Sequence, residues 1–123
     1  MNVFFDVQGT LVSGGRPRPH TREVFQRLAK MGHHVDLWSC GGNSYAASAA
    51  RLLDVEDLVF GCFGKSVPPP VSVDFVVDDD PGMANRYRGY TVAAFAGDPE
   101  DRELMGVPGA VGASDQGGSD WPG

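Results

Sequence analysis

A chain of 123 residues, of which 41% are hydrophobic, is long enough for one globular domain and too apolar to be disordered. Its formal net charge is −6 and its basic residues are scattered, which argues against a polybasic surface for nucleic acid or an anionic membrane. Two cysteines are too few for a disulfide scaffold, no apolar run approaches the ~20 residues that span a bilayer, and no signal-peptide pattern is present, so we expect a cytoplasmic protein.

Short apolar runs alternate with helix-like segments along most of the chain. Five runs predict buried strands, at residues 2–7, 34–38, 58–62, 74–77 and 91–95. Two segments with apolar residues on one face, or with many alanines, predict helices at residues 21–31 and 44–53. Two segments rich in proline, glycine or serine predict loops, at residues 13–19 and 66–72.

Strands that are separated by helices predict right-handed crossover connections and a Rossmann-like, doubly wound α/β fold. We therefore expect a mainly parallel sheet of five strands, with ligands bound at the carboxyl ends of the strands. This domain is predicted to cover residues 1–111. Residues 112–123 are rich in Gly, Ser and Asp and lack apolar periodicity, which predicts a flexible tail.

The first polar features lie where two predicted strands end. Asp6 ends an apolar strand and is followed closely by Gly9 and Thr10. A carboxylate in that place can attack a phosphoryl group or ligate Mg²⁺, although a simple turn is the alternative. Ser39 ends the second strand, where a hydroxyl and backbone N–H groups suit a phosphate oxygen, unless Ser39 is only a turn or capping residue.

Charged residues follow the third and fourth predicted strands. Lys65 can neutralise a nucleophilic carboxylate and the charge of a transition state, but an isolated lysine is also typical of a solvated surface. Asp78, Asp79 and Asp80 repel one another unless a cation is near, and a hard divalent metal relieves that repulsion. The alternative is an acidic, solvated loop that starts a helix at Pro81.

In this order, the four features resemble the motifs of the haloacid dehalogenase (HAD) superfamily over residues 1–95. FFDVQGTLV is similar to the first motif, usually Asp-x-Asp-Gly-Thr, and VDLWS is similar to the second, an apolar strand that ends in Ser or Thr. Lys65 takes the place of the third-motif lysine, and VVDDD resembles the acidic fourth motif. The chain looks most like the small capless phosphatase-like members of the superfamily.

The resemblance implies a Mg²⁺-dependent phosphohydrolase that acts through an aspartyl-phosphate at Asp6. Mg²⁺ would be held by the carboxylates of Asp6, Asp78 and Asp79 and by the backbone carbonyl of Gln8, with Asp80 as a helix cap. The groups that position the substrate phosphate would be Gly9, Thr10, Ser39, Cys40 and Lys65. Because the intervals between the motifs are too short for a cap domain, an open site is expected, for a phosphorylated small molecule or a phosphorylated macromolecule.

Gln8 departs from the HAD phosphatase pattern, which normally has a second Asp at this position. That Asp protonates the leaving group and then activates water, whereas glutamine exchanges no proton near neutral pH. Because general acid–base catalysis contributes about 10²–10⁴-fold, we expect slow or impaired turnover. Three explanations stay open: a specialised enzyme whose leaving group needs little protonation, an engineered substitution of Asp, and a non-catalytic domain that binds phosphate or a protein.

Other features have simpler explanations. Trp38 is predicted to lie in the core, although a place at the pocket is possible beside Ser39. Arg16 and Arg18 are predicted to belong to a solvated loop, the alternative being that they reach over the open site to a substrate phosphate. An acidic pocket of the response-regulator type is a competing fold, which the first motif and the paired Asp residues argue against.

Overall fold

This computed structural model describes residues 1–119. They contain seven strands and four α-helices, joined by turns and loops. The strands are β1 (Asn2–Asp6), β2 (Val12–Ser13), β3 (Arg16–Pro17), β4 (His34–Ser39), β5 (Val59–Gly64), β6 (Phe75–Asp78) and β7 (Gly89–Thr91). The helices are α1 (Thr21–Lys30), α2 (Asn43–Leu52), α3 (Pro81–Arg86) and α4 (Val107–Ser119), with a short 3₁₀ helix at Glu103–Gly106. None of the helices among the described residues is long and apolar enough to cross a membrane.

Five of the strands form one parallel sheet in the order β5-β4-β1-β6-β7. The expected α/β architecture with a parallel, Rossmann-like sheet of five strands is thereby confirmed. From the central strand β1 the chain first builds one half of the sheet, through β4 and β5, and then the other half, through β6 and β7. The carboxyl ends of β1 and β6 therefore flank the point where the strand order reverses, which is where such sheets bind ligands.

The fifth strand lies earlier than the predicted residues 91–95. It ends at Thr91, and its apolar successors Val92 and Phe95 are buried in the connection that follows. The N–H of Phe95 donates to the carbonyl of Gly9 at 2.8 Å. These apolar side chains are buried against the rest of the domain although they do not belong to the sheet. The predicted bounds of the fifth strand were wrong because an apolar run is not by itself evidence of a strand.

The two faces of the sheet are covered differently. Along β1, the side chains of Val3 and Phe5 belong to the main core, which α1, α2 and α4 also line. Phe4 points to the opposite face and packs with Trp38 and Val76 in a smaller cluster. Trp38 is 4% exposed, which confirms its predicted place in the core.

The segment expected to be a flexible tail begins inside a helix. Helix α4 continues to Ser119, whereas irregular structure was predicted from residue 112. Val107 and Val111 are fully buried and lie one turn apart, so this helix is anchored on the main core despite its many glycines. Residues 120–123 of the expected tail lie outside the described residues.

Arg18 corrects the prediction of a solvated loop. Its side chain is fully buried and forms a two-pronged ion pair with Asp101, with N···O distances of 2.8 Å and 2.9 Å. The same guanidinium donates to the carbonyl of Thr10 at 3.0 Å and to that of Ala93 at 2.8 Å. It also lies over the ring of Phe95, 5.3 Å from the centroid. Arg18 therefore joins the loop after β1 to the last third of the chain.

Asp36 is a buried carboxylate on the less covered face of the sheet. It lies in β4 and is 3% exposed, and among the described residues its Oδ2 has no hydrogen-bond partner. Burial raises the pKa of Asp36 to about 6, against the opposing effects of the His34 charge and a backbone hydrogen bond. It lies outside the pocket described below, which makes it a useful reference for a buried aspartate without a proposed role in the chemistry.

Candidate active site

A pocket of about 550 Å³ lies at the carboxyl edge of the sheet. Strands β1 and β6 are hydrogen-bonded neighbours, so the carboxylates that end them, Asp6 and Asp78, are brought side by side. The residues that line the pocket come from the ends of four strands and from the first turns of α2 and α3. They are Asp6, Gln8, Ser39, Cys40, Gly41, Tyr45, Lys65, Asp78, Asp79, Asp80 and Met83.

Three of the predicted metal ligands meet in this pocket. One oxygen from each of Asp6, Asp78 and Asp79 lies within 4.8 Å of the others. Asp6 and Asp78 are buried, and Asp79 is partly exposed to solvent. All the donors are carboxylate oxygens, which is the donor set that suits a hard divalent cation such as Mg²⁺. The described residues therefore fit such an ion.

Lys65 supplies a positive charge to the same cluster. Its Nζ lies 2.8 Å from Oδ1 of Asp6 and 3.4 Å from Oδ2 of Asp78. Burial lowers the pKa of Lys65, but the hydrogen bond and charge of Asp6, with a contribution from Asp78, outweigh this effect and raise the pKa. The ammonium group also lies 5.5 Å from the centroid of the Trp38 ring. Lys65 is thus held protonated beside the two buried carboxylates.

Burial makes both of these carboxylates less acidic. It raises the pKa of Asp6 to about 6, and the hydrogen bond and charge of Lys65 offset only part of that rise. It also raises the pKa of Asp78, although the backbone N–H of Asp80 and the charge of Lys65 favour the ionised form. A second cation next to these groups would favour ionisation of both.

Thr10 connects Asp6 to Asp79, and Gly9 leaves space for the Asp79 carboxylate. The Oγ1 of Thr10 lies 3.1 Å from Oδ2 of Asp6 and 3.2 Å from Oδ1 of Asp79, and it accepts the N–H of Asp79 at 3.1 Å. Gly9 has φ +84°, and a Cβ at this position would lie 2.8 Å from Oδ2 of Asp79. Only glycine therefore meets both the backbone angle and the space that the Asp79 carboxylate leaves.

Gly9→Ala tests whether an added methyl group at position 9 would displace the Asp79 carboxylate. We expect a loss of about 1–2 kcal/mol of stability from the positive φ, and, if the three aspartates hold Mg²⁺, weaker binding of that ion because the methyl group displaces Asp79. Gly14→Ala is a matched control, since Gly14 has φ +56° and no atom within 4 Å of the added Cβ. Thermal unfolding with and without Mg²⁺ measures both effects. Equal shifts by Mg²⁺ in the two variants would contradict the proposed clash.

The second predicted motif lies at the rim of the pocket. Ser39 is buried, its Oγ accepts the N–H of Gly41 at 3.0 Å, and its carbonyl accepts the N–H of Lys65 at 3.0 Å. Cys40 is exposed and lines the pocket. Asp80 caps α3, because its side chain accepts the N–H of Gly82 at 2.9 Å, as expected from the sequence. The structure therefore brings all the predicted motifs to one edge of the sheet.

Tyr45 is a polar lining residue that sequence reasoning missed, as it also missed Gly41 and Met83. It lies in the first turn of α2, and its hydroxyl donates to Oε1 of Gln8 at 2.7 Å. The available signal was its position six residues after Ser39, in the turn that faces the carboxyl edge of the sheet. An isolated tyrosine in an alanine-rich segment carries no chemical signature of its own, so the contact with Gln8 is visible only in three dimensions.

Comparisons of the chain with protein-family models and with curated proteins find no match.

Proposed function

We propose that this chain is a Mg²⁺-dependent phosphohydrolase of the capless HAD type, with Asp6 as the nucleophile. The observation that carries the proposal is the environment of Asp6. One of its oxygens accepts a hydrogen bond from Lys65 and the other accepts one from Thr10. Asp78 and Asp79 each place a further carboxylate oxygen within 4.8 Å. Such a group is suited to attack phosphorus while neighbouring charges are neutralised.

Each residue has a defined part in this reaction. The Asp6 carboxylate attacks phosphorus and forms an aspartyl-phosphate, which water then hydrolyses. Lys65 stabilises the negative charge of the transferring phosphoryl group, and the backbone around Ser39 and Cys40 positions its oxygens. The residues that would hold Mg²⁺ are Asp6, Asp78 and Asp79, with the backbone carbonyl of Gln8. When bound, Mg²⁺ would neutralise charge on the carboxylates and on the phosphoryl oxygens.

The connections between the strands support an open, capless site. Between β1 and α1 the chain forms only the short hairpin β2–β3, and among the described residues 65–74 contain no helix or strand. The pocket can therefore admit either a phosphorylated small molecule or a phosphate that projects from a macromolecule. The strand order, with Asp6 on the central strand, also agrees with the resemblance of the four motifs to the HAD superfamily.

Phosphate release from 4-nitrophenyl phosphate, with Mg²⁺ or with a chelator, tests the proposal. We expect Mg²⁺-dependent release by the unmodified protein and none above the buffer blank for Asp6→Asn. Asp36→Asn is the matched control, because burial raises the pKa of Asp36 to about 6 as well, outside the pocket. Equal activity of Asp6→Asn and the unmodified protein would refute the nucleophile. Inactivity of all three proteins would favour the second candidate.

The second candidate is a non-catalytic domain that binds phosphate or a partner through the same pocket. Gln8 favours it, since a glutamine cannot exchange the proton that HAD phosphatases transfer at this position. Mg²⁺-dependent binding of inorganic phosphate, measured by calorimetry, without turnover of any aryl phosphate would support this candidate. Accumulation of phosphate on Asp6 during turnover would exclude it.

A further inference from the structure

A second hollow, of about 450 Å³, lies beside the candidate active site, and we call it the side groove. Lys65 lines both cavities, and its Nζ is 2.8 Å from Oδ1 of Asp6. Trp38 also lines the side groove, and the centroid of its ring is 5.5 Å from the same Nζ. A molecule whose phosphate contacts Lys65 in the active site can therefore extend its organic part into the side groove.

The walls of the side groove are largely aromatic and apolar. The ring of Tyr87 packs edge-on against that of Trp38, with 5.8 Å between the centroids. The loop after Lys65 contributes Val67 and Val71, which are 65% and 41% exposed. The three consecutive prolines between these valines fix φ, so a ligand would have little backbone to order on binding. An apolar ligand group would cover both the rings and the exposed valines.

The charge of the side groove differs from that of the rest of the protein. The chain has a net charge of −6, but none of the residues that line the groove is acidic. Two of them are cationic, Lys65 and Arg86. Arg86 ends α3, its side chain is exposed, and it forms no ion pair within residues 1–119. Because a guanidinium presents several donors to a carboxylate or a phosphate, the groove is complementary to an anion.

We propose that the side groove binds the organic part of the phosphate substrate, and that this part is a small apolar body with a second anionic group, a carboxylate or a phosphate. The inference rests on the proposed function for the phosphate at Asp6. The volume of the groove lies within the range of about 300–1,000 Å³ that is usual for small-molecule sites, which favours a small molecule over a macromolecule.

Esters with a matched leaving group test the substrate class. The values of kcat/KM are measured for 3-(4-phosphooxyphenyl)propanoate, for its uncharged amide, and for 2-(4-phosphooxyphenyl)ethylphosphonate, all of which release a 4-alkylphenol. We expect an anionic ester to exceed the amide by about 3- to 10-fold, less so at high salt, and the better of the two anionic esters identifies the anion. Equal values for all three would overturn the inference. A neutral phosphotyrosine peptide that exceeds both anionic esters would overturn it in favour of a macromolecule.

Arg86→Gln should remove most of the preference for the anionic ester. Arg88→Gln is the matched control, because Arg88 is also exposed, lies two positions away and does not line the side groove. We expect Arg88→Gln to keep the preference of the unmodified protein. Equal preferences in the two variants, whether kept or lost, would overturn the assignment of Arg86. Both side chains are exposed, so thermal unfolding should show little change in either variant.

The indole N–H of Trp38 provides a test that needs no turnover. Trp38 lines the side groove, and its Nε1 has no hydrogen-bond acceptor among the described residues. The chain has two tryptophans, so Trp121→Phe identifies the Trp38 signal in a ¹⁵N–¹H spectrum. We expect 3-(4-hydroxyphenyl)propanoate to shift this signal at lower concentration than its amide does. No shift with either compound, or a shift on dilution of the protein alone, which would indicate a second copy in the groove, would overturn the inference.

These outcomes separate the side groove from the proposed function. If the esters are hydrolysed without an anionic preference and the Trp38 signal does not move, the inference fails and the phosphohydrolase stands. If no ester is hydrolysed but the carboxylate shifts the Trp38 signal and Arg86→Gln weakens that effect, the proposed function fails and the groove stands as a site for an apolar anion.

Discussion

Gln8→Asp is expected to raise the Mg²⁺-dependent hydrolysis of phenyl phosphate by about 10²–10⁴-fold, the usual contribution of a general acid–base. The Gln8 side chain lines the same pocket as Asp6, so a carboxyl group at position 8 enters the pocket in which we propose that the reaction takes place. In the proposed reaction, the same carboxyl group would also act as a base for the water that hydrolyses the aspartyl-phosphate. The measurement is kcat/KM for phenyl phosphate, with saturating Mg²⁺.

Gln8→Asn is the control for that increase. Asparagine has the size of aspartate but, like glutamine, exchanges no proton near neutral pH. We expect Gln8→Asn to stay within a few-fold of the unmodified protein. A gain in Gln8→Asn as large as that in Gln8→Asp would show that a shorter side chain, and not a proton donor, limits the rate. No gain in either variant would contradict the assignment of position 8 to acid–base catalysis.

Arg18→Met is expected to destabilise the folded protein by about 3–5 kcal/mol, which is large against the stability of a small domain. The substitution removes a fully buried guanidinium, leaves Asp101 without its partner, and leaves the carbonyls of Thr10 and Ala93 without their donors. Chemical denaturation measures the change. Arg22→Met is the control, because Arg22 makes a similar two-pronged contact with Asp57 on the surface and should barely change stability.

The effect of Arg18→Met should depend on pH. The hydrogen bond from Arg18, which outweighs burial, lowers the pKa of Asp101 below 3.8 in the folded protein. The ion pair therefore contributes fully above the unfolded value of 3.8, and its contribution is lost as the pH falls through the lowered folded value. The difference in stability between Arg18→Met and the unmodified protein should be constant near pH 7 and narrow in acid. A constant difference down to the acid unfolding of the protein would argue against the ion pair as the cause.

Local patterns were sufficient to predict much of the fold. The apolar runs at β1, β4 and β6 and the alanine-rich α2 appear within one or two residues of the predicted bounds, because each is a buried strand or helix with its own periodicity. The misplaced β7 and the helical part of the expected tail share one cause. Val92, Phe95, Val107 and Val111 are buried by tertiary contacts that no local pattern distinguishes from a strand or a loop.

The candidate site was predictable to the extent that it lies at strand ends. Asp6, Ser39 and Asp78 each end a strand of the sheet, so the parallel topology alone brings them to one edge. The residues that sequence reasoning missed make contacts with residues that are distant in the sequence. Arg18 contacts residues more than seventy positions away, and Tyr45 meets Gln8 over 37 positions, so neither contact could be read from neighbouring residues.

The clamp between Arg18 and Asp101 has a consequence for the order in which the protein folds. The contacts in the pocket and in the loop beside it join distant parts of the chain, with 59 positions between Asp6 and Lys65, 69 between Thr10 and Asp79, and 83 between Arg18 and Asp101. Pairings of such separation form slowly, because a long loop must close before any contact stabilises it. During synthesis β1 and β4 can pair early, but the contacts of Thr10 with Asp79 and of Arg18 with Asp101 can form only after those later residues have emerged from the ribosome. We therefore expect the pocket to be the last part of the sheet to reach its final shape.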